Sequence, residues 1–186
     1  MRKRRETVSQ LSQAVMQGLI KSYRAYYDVE EIHDGTPMKA LCAYHNRNSQ
    51  YVLVKEAELW AAENHEYLYL WDAGCLDEEL VDEMVRRTLA DGEPRVRPHS
   101  QHMYTYLTVV TLYDSARPEA LNKLKKQKRR REYKLSLHGW MEFRIAAVDL
   151  STAEITTNRA GKSLAKDLNR LVGRILEANH QVGEEK

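Results

Sequence analysis

Residues 104–114 read YTYLTVVTLYD, a run built almost entirely from β-branched, aromatic and aliphatic side chains. Residues of these types favour the extended backbone, and a strand without regular polar positions is typical of the buried middle of a sheet. The residues just before it, GEPRVRPHSQH, have the composition of a loop. We therefore expect a central, buried strand at 104–114, with the other elements arranged around it.

Helical patterns lie on both sides of this strand. Residues 7–26 repeat apolar side chains at spacings of three and four, and Thr7 is a candidate N-cap. A second helix is predicted from Asp77, which two glutamates follow, to Gly92. Further helices are predicted from Pro118 and over the C-terminal residues, where one face is apolar and the other cationic.

Strand patterns fill most of the remaining chain, over residues 27–32, 40–45, 50–56, 65–71, 133–138, 140–150 and 153–157. The residues 46–49, NRNS, have the composition of a hairpin turn, whereas 57–64, AELWAAEN, favour a helix. Alternation over 65–71 places Tyr67, Tyr69 and Trp71 on one face of a strand. The order of elements predicts an α+β (or α/β) fold, a mixed sheet of about five to seven strands flanked by about four helices.

Length and composition indicate one ordinary folded domain. The chain has 186 residues, which matches a single domain, and we expect a globular unit over 1–179 followed by a polar tail, 180–186. Its two cysteines, Cys42 and Cys75, fit no CxxC spacing, so reduced thiols are expected. No apolar run reaches the roughly 18 residues of a membrane span. These features predict a cytoplasmic protein that does not engage a membrane.

Charge is distributed unevenly along the chain. Residues 28–93 carry five Lys or Arg against 16 Asp or Glu, whereas residues 94–186 carry 18 against ten. Within the latter, residues 121–134 hold eight cations against Glu132 alone, in a chain whose net charge is only +2. Cations near a helix C-terminus stabilise the helix dipole, but that effect is confined to the last turn and accounts for only two or three of them.

The excess positive charge indicates a surface for an acidic ligand. Candidates are a nucleic-acid backbone or an acidic protein partner, with residues Arg2–Arg5 as a possible extension. The acidic segment 28–93 could instead neutralise the cations, or opposed charges could drive formation of a homo-oligomer. The predicted binding residues are Lys123, Lys125, Lys126, Lys128, Arg129, Arg130, Arg131 and Lys134.

Aromatic residues follow the cations closely. Tyr133, Trp140 and Phe143 could stack on bases beside a basic groove, which is how many proteins bind single-stranded nucleic acid. However, LHGWMEFR, residues 137–144, lacks the signature of an RNA-recognition strand, and Tyr133, Leu135 and Leu137 form a row typical of a core-facing strand. Core packing is therefore the predicted use of these aromatics.

No cofactor, metal or catalytic motif is indicated. Gly161-Lys162-Ser163 ends like a phosphate loop, but the first glycine is missing, since position 156 is Thr156. His99 and His102 are spaced like ligands but lie in a predicted loop with no neighbouring Cys or acid cluster. We predict no cofactor and no metal, and the sequence identifies no catalytic residue.

An enzymatic alternative remains open. Asp114 at a strand end and Glu142-Phe143-Arg144 resemble the pattern of PD-(D/E)XK nucleases, in which two acids on adjacent strands hold Mg²⁺ and a lysine stabilises developing charge. Arginine replaces the lysine here, and Asp149 is an equal candidate for the acid. The pattern would imply a metal-dependent phosphodiesterase, intact or degenerate.

Three segments resemble an uncharacterised bacterial domain family. They read HMYTYLTVV, YKLSLHGWMEFRIAAVDLST and TTNRAGK, and the resemblance spans about residues 38–170. It implies a bacterial, cytoplasmic, single-domain protein and carries no activity over to this chain.

Overall fold

The computed structural model describes residues 2–51 and 58–184. Over these residues it contains four α-helices and a mixed sheet of seven strands, as the sequence predicted. The helices are α1 (Arg2–Tyr23), α2 (Glu78–Gly92), α3 (Pro118–Lys126) and α4 (Lys162–Glu184). The strands are β1 (Asp28–Glu31), β2 (Met38–Tyr51), β3 (Glu58–Leu76), β4 (His102–Ala116), β5 (Arg130–Glu132), β6 (Trp140–Asp149) and β7 (Ile155–Thr157).

The sheet has the order β1-β2-β3-β4-β6-β5. Strands β1, β2 and β3 pair in antiparallel fashion, whereas β3, β4 and β6 are parallel. The predicted central strand is therefore confirmed: β4 pairs with a parallel neighbour on each side. The outer edge of β6 is shared by two short antiparallel strands, β5 against its first half and β7 against its second.

Two apolar layers cover the two faces of this sheet. Tyr67, Tyr69 and Trp71 lie on the face that packs against α2 and α3, as the alternation over 65–71 predicted. Leu68 and Leu70 lie on the opposite face, against α1 and α4. Helix α2 begins where predicted, because the Asp77 carboxylate accepts a hydrogen bond from the backbone N–H of Leu80 at 2.9 Å.

The predicted hairpin turn at 46–49 is wrong, as is the helix predicted over 57–64, of which the described residues 58–64 belong to β3. Strand β2 continues without interruption through Asn46 and Asn48, which pair with Asn64 and Ala62 of β3. Long pairing satisfies the backbone groups of both segments, and this outweighs the local preferences of their side chains. Most of the predicted strand over 50–56 lies outside the described residues, which resume at Glu58.

The predicted strand over 133–138 is also wrong. These residues form turns, and Lys134, Leu135 and Ser136 adopt positive φ angles of 47°, 53° and 66°. Tyr133 packs against the core, but Leu135 and Leu137 are 94% and 75% exposed, so the expected core-facing row fails at two of its three residues. At the other end of the molecule, α1 begins at Arg2 rather than after a cap at Thr7.

Candidate functional site

A cavity of about 520 Å³ opens at the outer edge of β6, between the connection from α3 to β5 and the loop that precedes α4. Five cationic side chains line it, and all five are exposed to solvent. They are Lys125, Lys126, Lys128, Arg129 and Arg159. The single acidic residue in the lining is Glu142, which lies 3.8 Å from the guanidinium of Arg130.

Asn158 holds the two sides of this cavity together. Its amide group fills the gap that β5 and β7 leave on the edge of β6, donating to the Phe143 carbonyl at 3.1 Å and accepting from the Ile145 N–H at 3.2 Å. The same side chain donates to the Gln127 carbonyl at 3.0 Å and accepts from the Gly161 N–H at 2.8 Å. Asn158 is 1% exposed. One buried amide thus ties the cationic segment to the start of α4.

Gly161 permits the close approach of that loop to the sheet. A Cβ atom at this position would stand 2.9 Å from the Ile145 carbonyl oxygen and 3.0 Å from the Asn158 amide oxygen. Residues 159–161 form the turn between β7 and α4. The first turn of α4 contains no acidic residue, so nothing there offsets the positive end of the helix dipole beside the cavity.

The eight predicted binding residues separate into distinct groups. Lys125, Lys126, Lys128 and Arg129 line the cavity, and within the described residues none of them forms a salt bridge. Lys123 instead pairs with Asp82 of α2 at 2.5 Å, which raises the pKa of the lysine.

The other three lie along the chain beyond the cavity. Arg130 lies beside Glu132 and Glu142, at 3.3 and 3.8 Å. Arg131 lies over the Tyr133 ring with its guanidinium carbon 5.6 Å from the centroid, and Lys134 belongs to the exposed turn. The side chains of Arg2–Arg5 lie outside the part of the chain whose side chains are described.

The end of α3 explains how so many cations are tolerated. The helix stops at Lys126, and its C-cap Gln127 is already extended, with φ −61° and ψ 127°. Lys125 with Arg129 and Lys126 with Arg130 are therefore not neighbours on a helical face, and the like-charge repulsion that such spacing would produce is absent. Within the described residues, the acidic segment 28–93 forms one salt bridge with the eight predicted binding residues, that of Asp82 with Lys123.

An aromatic surface adjoins the cavity on the α1 side of the sheet. Trp140 stacks on Tyr104, with ring centroids 5.3 Å apart and an interplanar angle of 24°. Tyr106 meets the Trp140 ring edge to face at 5.4 Å, and the Arg130 guanidinium lies over Trp140 at 4.2 Å. Core packing was the predicted use of Trp140, but its ring is only partly buried; Phe143 is fully buried, as predicted.

A buried ion pair lies next on the same face. Arg144 forms a salt bridge with Glu66, and their side chains are only 7% and 14% exposed. The Thr108 hydroxyl donates to Glu66 at 2.7 Å and accepts from the Arg144 Nε at 3.1 Å. Arg144 also lies 3.5 Å from the centroid of the Tyr106 ring, so its charge is compensated from several directions.

Tyr27 completes this network. Its hydroxyl donates to the second Glu66 oxygen at 2.9 Å. Burial raises the pKa of Tyr27 far above its usual range, and the negative charge of Glu66 raises it further. Burial and the same carboxylate raise the pKa of the Cys42 thiol to about 12. Cys42 is therefore protonated and unreactive at neutral pH.

Of the carboxylates considered for a nuclease site, Glu142 lies far from Asp114 and Asp149. Glu142 pairs in register with Tyr106 of β4, whereas Asp149 pairs with Tyr113, next to Asp114. Because β4 and β6 are parallel, Glu142 and Asp114 lie about seven or eight residues apart along the strands, roughly 25 Å. Arg144, which would take the place of the lysine, is buried against Glu66.

Histidines gather on the other face of the sheet. His45 and His65 approach through their Nδ1 atoms at 2.8 Å, and His99 Nε2 lies 3.1 Å from a Glu63 oxygen. Among the described residues, however, no three His, Cys, Asp or Glu side chains are grouped so that they could hold a metal ion. His102 is engaged with the Thr105 hydroxyl and the His138 carbonyl, at 2.9 and 2.7 Å.

Several residues of the cavity and its surroundings escaped the sequence analysis. Asn158 and Arg159 lie 24 and 25 residues beyond the end of the cationic run at Lys134, and only folding brings them to it. The sequence shows Tyr104 and Tyr106 two positions apart on one strand and Trp140 at the start of another. Interpreting it required the register, which places Tyr104 opposite Trp140.

Residues 12–170 match the family model of a domain of unknown function, DUF8052. The chain belongs to this family. The match covers most of the chain and confirms the predicted membership of an uncharacterised domain family, for which no activity is described. The search of curated proteins gave no match, and neither did that of solved structures. In the described part of this DUF8052 member, no helix has the length and apolar character needed to cross a membrane.

Proposed function

We propose that this protein is a cytoplasmic, non-enzymatic accessory domain that binds single-stranded nucleic acid. The observation that supports it is the junction of two surfaces at Glu142 and Arg130. On one side lies the cavity with its five cations, and on the other lies the stacked pair of Tyr104 and Trp140. A basic groove beside partly exposed aromatic rings is an arrangement that can bind the backbone and bases of a single strand.

The cavity is suited to the phosphates. Its cations project from two segments, the α3–β5 connection and the loop before α4, which Asn158 holds in fixed relation. A phosphate bound there displaces condensed counterions and needs no particular base. Glu142 would oppose an anion, but the Arg130 guanidinium, 3.8 Å away, offsets its charge.

The aromatic surface favours nucleic acid over an acidic protein. Carboxylate side chains would find cations in the cavity but nothing to gain from the rings of Trp140 and Tyr104. Bases gain about 1–3 kcal/mol each from stacking on aromatic side chains. Duplex bases are already stacked, so the surface also favours single strands.

A titration of labelled single-stranded oligonucleotides by fluorescence anisotropy tests the cavity. Neutralising Lys125, Lys126, Arg129 and Arg159 to Gln should weaken binding at least tenfold at low salt. It should also flatten the dependence of log K on log salt by about 0.7 for each phosphate that the variant no longer neutralises. The matched control neutralises Lys21, Lys166, Arg170 and Arg174, four exposed cations on α1 and α4, and should change affinity far less.

A second variant, Trp140→Ala, tests the aromatic surface. It should weaken single-strand binding five- to tenfold while leaving the weaker duplex binding unchanged. Two results would contradict the proposal: no binding of any oligonucleotide at low ionic strength, or equal reductions in affinity in the cavity variant and its control. Polyglutamate that competes as well as the oligonucleotide would point to an acidic protein ligand instead.

A further inference from the structure

The turn that replaces the predicted strand at 133–138 holds an unusual backbone. Three consecutive residues, Lys134, Leu135 and Ser136, have φ between 47° and 66°. This left-handed region is unfavourable for residues with a Cβ atom, and single residues rather than runs normally adopt it. Such strain persists only where the surroundings impose it, and it is concentrated at functional sites.

The surroundings do impose it. The turn is closed by hydrogen bonds from the Leu137 N–H to the Lys134 carbonyl at 3.0 Å and from the His138 N–H to the Tyr133 carbonyl at 3.1 Å. Its base is attached to β4, where the His138 carbonyl lies 2.7 Å from His102 Nδ1. Gly139, with φ 71°, fits there because a Cβ atom would stand 2.5 Å from the His102 carbonyl oxygen. The turn is therefore preformed.

What this preformed turn displays is apolar. Leu135 and Leu137 are 94% and 75% exposed, and Met103, whose backbone packs against Gly139, is 45% exposed. These are three of the four large apolar side chains that are exposed among the described residues; the fourth, Tyr26, belongs to the segment between α1 and β1. Leucines held in water by a strained backbone indicate a surface that is covered when the protein works.

Cations flank this apolar tip. Lys134 is part of the turn, and Arg131 lies just before it; both are exposed and neither forms a salt bridge in the described part of the chain. The intervening acid, Glu132, lies 3.3 Å from the Arg130 guanidinium, so Arg130, Arg131 and Lys134 outnumber the acids Glu132 and Glu142 by three to two. The tip is thus convex and apolar, with net positive charge at its base.

We propose that the turn 133–139 inserts into the interface of an anionic lipid bilayer. A protruding pair of leucines needs no cavity of complementary shape in lipid, whereas a protein or a base stack would have to supply one. Anionic headgroups match Arg131 and Lys134, each of which adds to the attraction at the surface. Such attachment is peripheral and needs no membrane-spanning segment, so it departs from the expectation that the protein does not engage a membrane.

The proposal is independent of nucleic-acid binding, because the two sites share no residue. The full-length protein should co-sediment with vesicles of phosphatidylcholine containing about 30% phosphatidylserine and should bind pure phosphatidylcholine vesicles much more weakly. The double variant Leu135→Ser/Leu137→Ser should lose at least tenfold in vesicle affinity. Both side chains face solvent, so its thermal unfolding should match that of the wild type, and its oligonucleotide affinity should be unchanged.

Matched variants separate insertion from charge. Tyr26→Ser removes a similarly exposed apolar side chain outside the turn, in the segment between α1 and β1, and should not affect vesicle binding. Arg131→Gln/Lys134→Gln should reduce binding to phosphatidylserine vesicles about fivefold or more and remove their advantage over pure phosphatidylcholine. If wild type and the leucine variant bind vesicles equally, or if neither binds, the proposal is overturned. Loss of oligonucleotide rather than vesicle binding in the leucine variant would identify a nucleic-acid contact instead.

Discussion

Arginine 144 and the cations of the cavity carry the same charge in opposite surroundings. Arg144 is buried and meets Glu66, Thr108 and the ring of Tyr106. Lys125, Lys126, Lys128 and Arg129 are exposed around the cavity, with no salt bridge among the described residues. The fold therefore depends on the arginine, because removing it would leave the Glu66 carboxylate buried without a cation. The exposed cations have no such partners in the described part of the chain and contribute little to stability, so they are available to an external anion.

The largest expected effect is at the buried pair. Arg144→Met should lower the free energy of unfolding by about 3–5 kcal/mol, because Glu66 would remain buried without its cation. Urea unfolding followed by circular dichroism measures the change. The quadruple cavity variant should lie within about 0.5 kcal/mol of the wild type, because exposed cations without partners contribute little to stability.

A second substitution distinguishes a missing partner from lost packing. Glu66→Gln/Arg144→Met leaves no uncompensated charge, so it should recover a substantial part of the stability lost in Arg144→Met. If the double variant is less stable than either single variant, the pair does not act through charge compensation. The comparison between the two regions would then fail.

Features set by contiguous residues could be predicted from the sequence, whereas features formed by residues distant in the chain could not. The helix from Asp77, the central strand and the excess of cations could be predicted, because caps, β-branched runs and charge counts are properties of contiguous residues. The cavity could not, because Arg159 and Asn158 are joined to the cationic run by folding alone. Nor could the ion pair, since Glu66 and Arg144 are 78 positions apart.

The failed strand at 133–138 shows a different limit. Tyr133, Leu135 and Leu137 alternate as a core-facing strand would, and alternation alone does not reveal whether a partner strand is present. The partner edge of β6 was already occupied by Arg130–Glu132. The chain then had to reverse over the few residues before Trp140, with Gly139 in a left-handed conformation.

Asp114 provides a third kind of charge, half-buried and surrounded by charges of its own sign. Burial raises the pKa of its carboxyl group, and the carboxylates of Asp72 and Asp149 raise it further. One of its oxygens is buried without a hydrogen-bond partner. A raised carboxyl pKa means that the folded state binds the proton more tightly than the unfolded state does. The stability that the protonated form contributes is therefore lost as the pH rises from the carboxyl pKa of the unfolded chain, about 4, through the higher pKa of the folded state.

Asp114→Asn should accordingly stabilise the protein at neutral pH. We expect a rise in Tm on the order of 1–2 °C at pH 7 that shrinks as the pH is lowered towards about 4, where the wild-type group is protonated in the fold. Differential scanning fluorimetry at several pH values measures it. The control is Asp28→Asn, at an exposed carboxylate at the start of β1, which should leave Tm nearly constant. A lower Tm for Asp114→Asn at pH 7 would mean that the carboxylate has a favourable partner after all.

The smallest expected effect concerns His65, a cation only when protonated. Burial lowers the pKa of its imidazole, and the neighbouring His45, His102 and His99 lower it further, whereas Glu63 raises it. A lowered imidazole pKa means that the unfolded state takes up a proton that the folded state resists. Stability is therefore lost as the pH falls from about 6.5, the unfolded value, towards the lower folded value.

His65→Gln removes this titrating group, so the fall of Tm between about pH 7 and pH 5 should become shallower than in the wild type, by roughly 1 °C or more across that range. His33→Gln, at an exposed histidine of the β1–β2 connection, should keep the wild-type slope. Arg144 is stabilised in the fold by a buried carboxylate, whereas protonated His65 would face the imidazoles of His45, His99 and His102 as well as the Glu63 carboxylate at 3.9 Å. If Tm falls equally steeply with pH in the wild type and in both variants, His65 is protonated as readily in the folded state as in the unfolded chain. The contrast between compensated and uncompensated cations would then apply to Arg144 and the cations of the cavity but not to His65.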